Sequence, residues 1–335
     1  RKESDPESPG GVLMNIASIY SPIKDQMARI EEKIVQIGQT PTAGLNEILH
    51  YVLNISGKRL RPAVALLTSQ IVPNKDYEKP VLMATAVELL HIATLIHDDT
   101  VDNSDTRHGK ATIGSIWGKD VAVLLGDYVF AASTTFVCET GNIRVISRFS
   151  ETLKELSEGE IHERLTSFDL EQTRDDYWRR IYNKTASLFS TAAQSGAILS
   201  GLNEEYINAL KCYGKNLGIA FQIVDDILDF EGTEEEIGKP VGADLIHGTL
   251  TLPSIILLER YPKNNPIQDI FNGVNPEENL KIALDQIRSS SIIQESYTIA
   301  EEFITKANKA LKKLPPGVSK NSLLDLLDYV LHRNS

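Results

Sequence analysis

The feature that most constrains the fold is a long, nearly uncharged segment, residues 81–97. Its only charged residue before His97 is Glu88. A helix that is apolar on most of its faces has to be buried inside a protein. Residues 206–230 are predicted to form a second helix of this kind, with Leu217 and Ile223 among its apolar residues. Two such helices need other helices to cover them, so the sequence predicts an all-α protein.

The remaining segments also favour helices. Ile30, Ile34 and Ile37 recur at helical spacing, clusters of Pro, Gly and Asn separate the segments, and strand-like alternation is scarce. Residues 1–11 are polar and rich in Pro and Gly, so we expect a disordered N-terminal tail. No linker demands a domain boundary after that tail. We therefore expect residues 12–335 to form a single helical domain.

Composition excludes several classes of function. The net charge of -12 argues against binding to nucleic acid or to an anionic membrane. No apolar run reaches the roughly 18 residues that span a bilayer, since Asp127 interrupts the closest one, residues 121–136. Cys138 and Cys212 form neither a zinc-binding pattern nor a disulfide framework. We expect a cytoplasmic protein without a transmembrane segment, or an organellar one after removal of a targeting peptide.

Two acidic clusters share the spacing DDxxD, and each follows an apolar stretch. Their members are Asp98, Asp99 and Asp102, and Asp225, Asp226 and Asp229. On a helix, residues i and i+4 share a face, with Cβ atoms about 6 Å apart. At the C-terminal part of a helix the macrodipole disfavours carboxylates, and crowded carboxylates repel one another. A hard divalent cation would relieve both effects, and ligands that are all oxygen favour Mg²⁺ over zinc. A solvated acidic helix face is the alternative, and it accounts for one such cluster better than for two.

A compact basic segment, GKRLRP at residues 57–62, places Lys58, Arg59 and Arg61 within four positions. Such cations can hold a diphosphate through charge-assisted hydrogen bonds. The alternative is a localisation-like or merely solubilising basic run. Other cations that could line the same site are Arg107, His108, Lys110, Lys184 and Lys239.

Taken together, these segments resemble the trans-isoprenyl diphosphate synthases, also called trans-prenyltransferases. The resemblance runs from about residue 12 to the end. The matching segments are GKRLRP (57–62), LLHIATLIHDDTVD (89–102), DTRHGK (105–110), GDYVFA (126–131), EGE (158–160), KTA (184–186), FQIVDDILDF (221–230) and GKPVGADL (238–245). The resemblance implies one all-α domain around a deep central cavity, usually as a homodimer.

The resemblance also implies roles for single residues. It assigns Mg²⁺ binding to Asp98, Asp102 and Asp225, with Asp99, Asp226 and Asp229 in support. The diphosphate of isopentenyl diphosphate would be held by Lys58, Arg61 and His91, with Arg59 and His108 as further substrate-binding candidates. The allylic diphosphate would be held by Arg107, Lys184, Thr185, Gln222 and Lys239. Two positions depart from the commoner pattern, because His108 stands where a second Arg is usual and Thr249 where many members carry Lys.

The implied reaction joins the two substrates head to tail. Mg²⁺ and cationic side chains would draw charge from the allylic diphosphate until its C–O bond ionises, and the double bond of isopentenyl diphosphate would attack the resulting cation. In this family, aromatic residues at the positions of Ala93 and Thr94 restrict products to short chains. The small residues here predict a product of at least C20, and of about C30–C50 if each helical turn admits one isoprene unit.

Several alternatives stay open at this point. Phe136 or Phe149 could set the floor of the cavity instead, and the enzyme could be a short-chain geranylgeranyl or farnesyl diphosphate synthase. A class I terpene cyclase shares the first acidic motif, but the second DDxxD and the GKRLRP segment favour chain elongation. A regulatory subunit of a heteromeric synthase typically lacks one or both acidic clusters, and this chain keeps both.

Overall fold

The computed structural model describes residues 15–54, 57–73, 76–107, 109–232 and 241–333. Their secondary structure is almost entirely helical, as predicted. The helices are α1 (Ile16–Ile19), α2 (Lys24–Ile37), α3 (Ala43–Leu53), α4 (Leu60–Ser69), α5 (Glu78–Val101), α6 (Ile113–Trp117), α7 (Lys119–Glu139), α8 (Ile143–Leu165), α9 (Arg174–Ile181), α10 (Ser187–Leu199), α11 (Glu204–Glu231), α12 (Ala243–Ile246), α13 (Leu252–Arg260), α14 (Pro266–Phe271), α15 (Pro276–Ser289), α16 (Ile292–Leu311) and α17 (Val318–Leu331). The tail predicted over residues 1–11 lies outside the described residues.

Three short elements complete the described chain. A 3-10 turn (Ser21–Ile23) precedes α2, and a π-helical turn (Tyr182–Ala186) joins α9 to α10. Strands β1 (Thr106–Arg107) and β2 (Lys110–Ala111) form an antiparallel hairpin after α5. This hairpin, which the helical pattern did not predict, turns the chain back beside the end of α5.

The two predicted apolar helices, α5 and α11, lie at the centre of the packing. All residues from Pro80 to Leu90 are buried, and α5 packs against α4, α7 and α10. Helix α11 packs against α10 and α16 and joins two apolar cores. Its residues Tyr213 and Leu217 belong to the core around α4 and α5. Its residues Ile223 and Ile227 belong to a second core, which includes α13. The second acidic cluster is therefore built into the second core.

Glycines on α11 bring this helix very close to α10. A Cβ atom on Gly218 would lie 2.6 Å from the Cα atom of Ala186, and one on Gly214 would lie 2.5 Å from the carbonyl oxygen of Phe189. Real side chains cannot occupy such positions without a shift of the backbone. The close approach positions Gln222, one turn further along α11, against the end of the π-helical turn.

The absence of a segment that spans a membrane stays a prediction from the sequence. By length and composition alone, helices α5 and α7 are both long and apolar enough to cross a membrane. The apolar window of α5 is 78% buried inside the protein, which identifies it as a core helix. The window of α7 is only 33% buried, and its outer face carries Val123, Leu124 and Tyr128.

Candidate active site

The first acidic cluster lies at the C-terminal end of α5, as the sequence predicted. Asp98 and Asp99 occupy its last turn, and Asp102 is the residue that ends it. Burial and then the negative charge of Glu160 raise the pKa of the Asp98 carboxyl to about 7, while Lys184 opposes the shift. A buried carboxyl beside other carboxylates is stabilised in its charged form by a cation.

Two arginines pair with the other members of this cluster. The Nε atom of Arg107 donates to the Oδ1 atom of Asp99 at 2.8 Å. The β1–β2 hairpin makes this contact possible, because it returns Arg107 to the end of α5. Arg164, at the end of α8, donates to the Oδ1 atom of Asp102 at 2.6 Å. Sequence reasoning identified Arg107 as a site residue but missed Arg164.

The π-helical turn carries two further predicted site residues, Lys184 and Thr185. The Nζ atom of Lys184 lies 2.8 Å from Oε1 of Glu163 and 3.0 Å from Oε1 of Glu160, both on α8. The Asp98 charge also raises the pKa of Lys184, although burial lowers it. π-Helical turns inside helices often mark functional sites. Here the turn places one cation beside three carboxylates.

The second acidic cluster, on α11, has one exposed and two buried members. The side chain of Asp225 is 40% exposed, whereas Asp226 and Asp229 are buried. The Oδ2 atom of Asp226 accepts a hydrogen bond from the Tyr177 hydroxyl at 2.6 Å, and its Oδ1 atom accepts one from the Gln222 amide at 2.8 Å. Burial and then the nearby charge of Asp244 raise the pKa of Asp226 to about 7, while both hydrogen bonds oppose the shift.

One hydrogen bond joins the π-helical turn to this cluster. The Thr185 hydroxyl donates to the Gln222 carbonyl oxygen at 2.6 Å. Lys184, the preceding residue, interacts with Asp98 of the first cluster. The turn therefore contacts the surroundings of both acidic clusters, which lie on two different helices.

The C-terminal segment contributes a cation that sequence reasoning missed. The Nη2 atom of Arg333 donates to Oδ1 of Asp225 at 2.5 Å and to the carbonyl oxygen of Phe221 at 2.8 Å. Its guanidinium lies 3.7 Å from the centre of the Phe221 ring. Nothing in the local sequence around Arg333 predicts this contact.

The GKRLRP segment brings Lys58 and Arg61 close to the same region. The guanidinium of Arg61 lies 4.7 Å from the centre of the Phe189 ring and 5.9 Å from that of Phe221. Burial lowers the pKa of Arg61 to about 10. Burial also lowers the pKa of Lys58, and the neighbouring charge of Arg333 lowers it further. His91, partly buried on α5, has a pKa well below its usual 6.5 because of desolvation and then the charge of Arg61. Its imidazole is therefore neutral.

Two buried N–H groups in this region lack a hydrogen-bond acceptor among the residues that the structure describes. They are the Nε–H groups of Arg61 and Arg333. Buried polar groups in proteins are nearly always satisfied, so two unsatisfied guanidinium donors beside Lys58 indicate a site for an anionic ligand.

Arg59 differs from its two cationic neighbours. It adopts the left-handed backbone conformation, with φ 52°, at the start of α4. Its Nη1 atom donates to Oε1 of Glu88 at 2.7 Å, and its Nε atom donates to Oε1 of Glu31 at 2.9 Å. Two protein carboxylates thus engage the guanidinium that the sequence assigned to substrate.

The positions predicted to control product length lie on α5 before the first cluster. Ala93 is buried in the core, and the Thr94 hydroxyl donates to the carbonyl oxygen of His91 at 2.8 Å. Phe149 on α8 is also buried. The predicted substrate-binding residues His108 and Lys239 lie outside the described residues.

The donor set suits a hard divalent cation, although the carboxylates are not gathered into a finished cage. Within the described ranges, no group of three or more His, Cys, Asp or Glu side chains is close enough to hold an ion. Mg²⁺ commonly uses one or two carboxylates and completes its shell with water and substrate phosphates. The oxygen donors of Asp98, Asp102 and Asp225 fit that requirement.

Comparisons with known proteins show the family of this chain. Residues 42–287 match the family model described as Polyprenyl synthetase. The chain is 34% identical over 324 residues to heptaprenyl diphosphate synthase component 2 of Geobacillus stearothermophilus, covering 96% of this chain and 100% of the relative. It is 33% identical over 326 residues to the octaprenyl diphosphate synthase of Escherichia coli, covering 96% of this chain and 100% of the relative.

A solved structure extends the likeness to the fold. The crystal structure of a polyprenyl synthase from Caulobacter crescentus, complexed with calcium and isoprenyl diphosphate, matches with a TM-score of 0.91 at 29% identity and covers 98% of this chain and 100% of that one. Sequence and fold therefore agree over nearly the whole length. The chain belongs to the polyprenyl synthetase family, whose substrates are isoprenyl diphosphates and whose chemistry requires a divalent metal, and it is a trans-prenyltransferase that makes polyprenyl diphosphates.

Proposed function

We propose that this enzyme uses Mg²⁺ to condense isopentenyl diphosphate with an allylic diphosphate into a product of medium or long chain length. The observation that carries the proposal is the link between the two acidic clusters. Lys184 interacts with Asp98, and its neighbour Thr185 is hydrogen-bonded through Gln222 to Asp226. The π-helical turn is thereby connected to one carboxylate on α5 and, through Gln222, to one on α11.

In this proposal the metal ligands are Asp98, Asp102 and Asp225, and the supporting carboxylates are Asp99, Asp226 and Asp229. The supporting role suits Asp226, because both of its oxygens already accept hydrogen bonds. Bound Mg²⁺ would stabilise the negative charge that develops on the leaving diphosphate. The Caulobacter relative, solved with calcium and isoprenyl diphosphate, supports a hard divalent cation.

The two substrate diphosphates are assigned to separate groups of side chains. Lys58, Arg61 and neutral His91 bind isopentenyl diphosphate, which suits the free Nε–H group of Arg61. Arg107, Lys184, Thr185 and Gln222 bind the allylic diphosphate. Arg59 is held by Glu31 and Glu88, so we assign it to stabilising the start of α4 instead. Roles for His108 and Lys239 stay predictions from the sequence.

The chain's own residues then perform two tasks. Lys184 and Arg107 exchange carboxylate partners for phosphate oxygens and hold the leaving group. Apolar residues of α5 exclude water, which would otherwise quench the allylic cation. After the double bond of isopentenyl diphosphate has attacked, a proton is lost, and the released diphosphate is the base.

Product length is proposed to depend on Ala93 and Thr94. Small side chains there leave room for a growing chain along α5, and the names of the Geobacillus and Escherichia relatives support a heptaprenyl or octaprenyl range. The short-chain alternative predicts a geranylgeranyl or farnesyl product instead. A cyclase would give a product without added isopentenyl units.

The exposed apolar face of α7 supports a homodimer. Leu124 is 68% exposed, and Val123 and Tyr128 lie beside it on the helix surface. Contiguous exposed apolar residues commonly mark an interface. The Geobacillus relative is named component 2, so a different partner is the competing occupant. Light scattering of the purified chain distinguishes a second copy from a different partner. A dimer of the chain alone that Leu124→Glu dissociates favours a second copy. Location stays a prediction, in the cytoplasm or in an organelle.

One assay tests the proposed function. The purified chain is incubated with labelled isopentenyl diphosphate, farnesyl diphosphate and Mg²⁺, and products are separated by reversed-phase chromatography. We expect labelled products longer than C20 that a chelator abolishes. A chain that is inactive alone would point to a regulatory subunit, unlabelled products would point to a cyclase, and full turnover with a strong chelator would remove the metal assignment.

A further inference from the structure

Tyr177 has no role in the proposed reaction, yet its hydroxyl contacts the second acidic cluster directly. The residue lies on α9, is 1% exposed, and donates to the Oδ2 atom of Asp226 at 2.6 Å. Thr173 and Asp176 form a capping box that begins α9 one turn earlier. The guanidinium of Arg180 packs on the Tyr177 ring at 5.6 Å. The hydroxyl is therefore held on a fixed element.

The Tyr177 hydroxyl is the first donor in a chain of three hydrogen bonds. Asp226 accepts from Tyr177 on one oxygen and from the Gln222 amide nitrogen on the other. The Gln222 carbonyl oxygen accepts in turn from the Thr185 hydroxyl at 2.6 Å. These contacts fix which end of the Gln222 carboxamide faces Thr185, because its nitrogen is directed at Asp226.

Burial makes the hydroxyl important to Asp226. When a buried carboxylate loses one of its donors, one of its oxygens is left without a hydrogen bond. The desolvation cost of that oxygen is then no longer offset. The nearby negative charge of Asp244 disfavours the carboxylate, and the positive charge of Arg180 opposes that effect only in part. Without the Tyr177 donor, Asp226 would turn toward other donors, and Gln222 would lose its fixed orientation.

We propose that Tyr177 is a positioning residue whose hydroxyl, acting through Asp226, Gln222 and Thr185, aligns the side of the site that holds the allylic diphosphate. The inference rests on the proposed function, because Gln222 and Thr185 are its allylic-diphosphate ligands. Lys58, Arg61 and His91 take no part in this hydrogen-bond chain. The effect of Tyr177 is therefore confined to one of the two substrates.

The test measures binding of each substrate separately in Tyr177→Phe, which removes only the hydroxyl. Calorimetry with Mg²⁺ and farnesyl diphosphate, without isopentenyl diphosphate, gives the allylic dissociation constant without turnover. We expect it to rise about 10-fold or more, the usual effect of removing a partner that orients a metal or ligand site. The dissociation constant for isopentenyl diphosphate should stay within about twofold of the parent, because this hydrogen-bond chain does not reach its ligands.

Tyr213→Phe is the matched control. Tyr213 is also fully buried, and its hydroxyl donates to the carbonyl oxygen of Leu323 at 2.9 Å, with no acidic cluster involved. It should lower the melting temperature without changing farnesyl diphosphate binding. A Tyr177→Phe variant that weakens both substrates equally, or neither, overturns the proposal.

A double variant tests the connection itself. If Tyr177 acts through Thr185, combining Tyr177→Phe with Thr185→Val should weaken farnesyl diphosphate binding little more than Thr185→Val alone. Fully additive losses would overturn the connection. Failure of the proposed function is distinguishable from failure of this inference. If the proposed function is wrong, the parent enzyme adds no isopentenyl units, whatever effect Tyr177→Phe has on binding.

Discussion

Replacing Arg59 separates a structural role from a substrate-binding one within the GKRLRP segment. Arg59 and Glu88 form a buried ion pair, with only 10% and 6% of their side chains exposed. Removing one partner of a buried pair leaves an uncompensated charge and typically destabilises a protein by about 3–5 kcal/mol. We therefore expect Arg59→Ala to destabilise the fold by that amount through Glu88.

The size of the thermal shift follows from the length of the chain. Unfolding entropy of about 2.1 cal/mol/K per residue gives about 0.7 kcal/mol/K for 335 residues, so Arg59→Ala should lower Tm by about 4–7 °C. Arg59→Gly should cost about 1 kcal/mol less, because glycine adopts the left-handed conformation without the penalty of a side chain. Arg59→Met combined with Glu88→Met should recover most of the stability.

Calorimetry and steady-state kinetics provide the measurement. Arg61→Ala is the reference for loss of a substrate cation, and we expect it to raise KM for isopentenyl diphosphate far more than Arg59→Gly does. The reasoning is refuted if Arg59→Ala melts within about 1 °C of the parent and raises that KM as much as Arg61→Ala. Such a result would restore the sequence-based assignment of Arg59 to substrate.

Three further predictions concern metal, product length and pH. Asp98→Asn and Asp225→Asn should each lower kcat by about 10³-fold or more through lost metal ligation, with a small change in Tm. Near-parental turnover in either variant would remove that residue from the metal site. Ala93→Phe should shorten the product in the chromatographic assay by filling space on α5, whereas an unchanged product would move the cavity floor elsewhere. His91 stays neutral in the folded protein but takes up a proton in the unfolded chain. As the pH falls below about 6.5, the parent should therefore lose up to about 1.4 kcal/mol of stability per pH unit relative to His91→Gln. Parallel denaturation curves of the two proteins from pH 7.5 to 5 would contradict that assignment.

Local sequence patterns predicted the main helices well. The apolar segment over residues 81–97 lies inside α5, and the segment over 206–230 lies inside α11. Both acidic clusters stand at the C-terminal parts of these helices, as predicted. Such patterns succeed because helical periodicity and burial are properties of neighbouring residues. The β1–β2 hairpin was missed, since its strands are only two residues long.

The partners of the acidic residues could not be predicted, because they are distant in sequence. Arg164 is 62 residues from Asp102, Tyr177 is 49 from Asp226, and Arg333 is 108 from Asp225. No spacing rule connects such positions, and only the packing of α8, α9 and the C-terminal segment brings them together. The sequence criterion for a membrane span was an uninterrupted apolar run, so it passed over α5 and α7, which are long and apolar enough by overall composition.

The pairing of the acidic residues explains how a site rich in carboxylates is stable without a ligand. Asp99, Asp102 and Asp225 each pair with an arginine, and Lys184 is held between Glu160 and Glu163. A divalent cation alone would have to displace these arginines from the carboxylates, and a diphosphate alone would have to draw the cations away from them. Each exchange by itself leaves charges unpaired. The cost is largest for Asp99, whose side chain is 13% exposed, and smaller for Asp102 and Asp225, whose side chains are 48% and 40% exposed. In the proposed function, joint binding would offer the metal to the carboxylates and the phosphate oxygens to the cations. The same charges would then be paired differently, which predicts that the site favours joint binding of the two over either one alone.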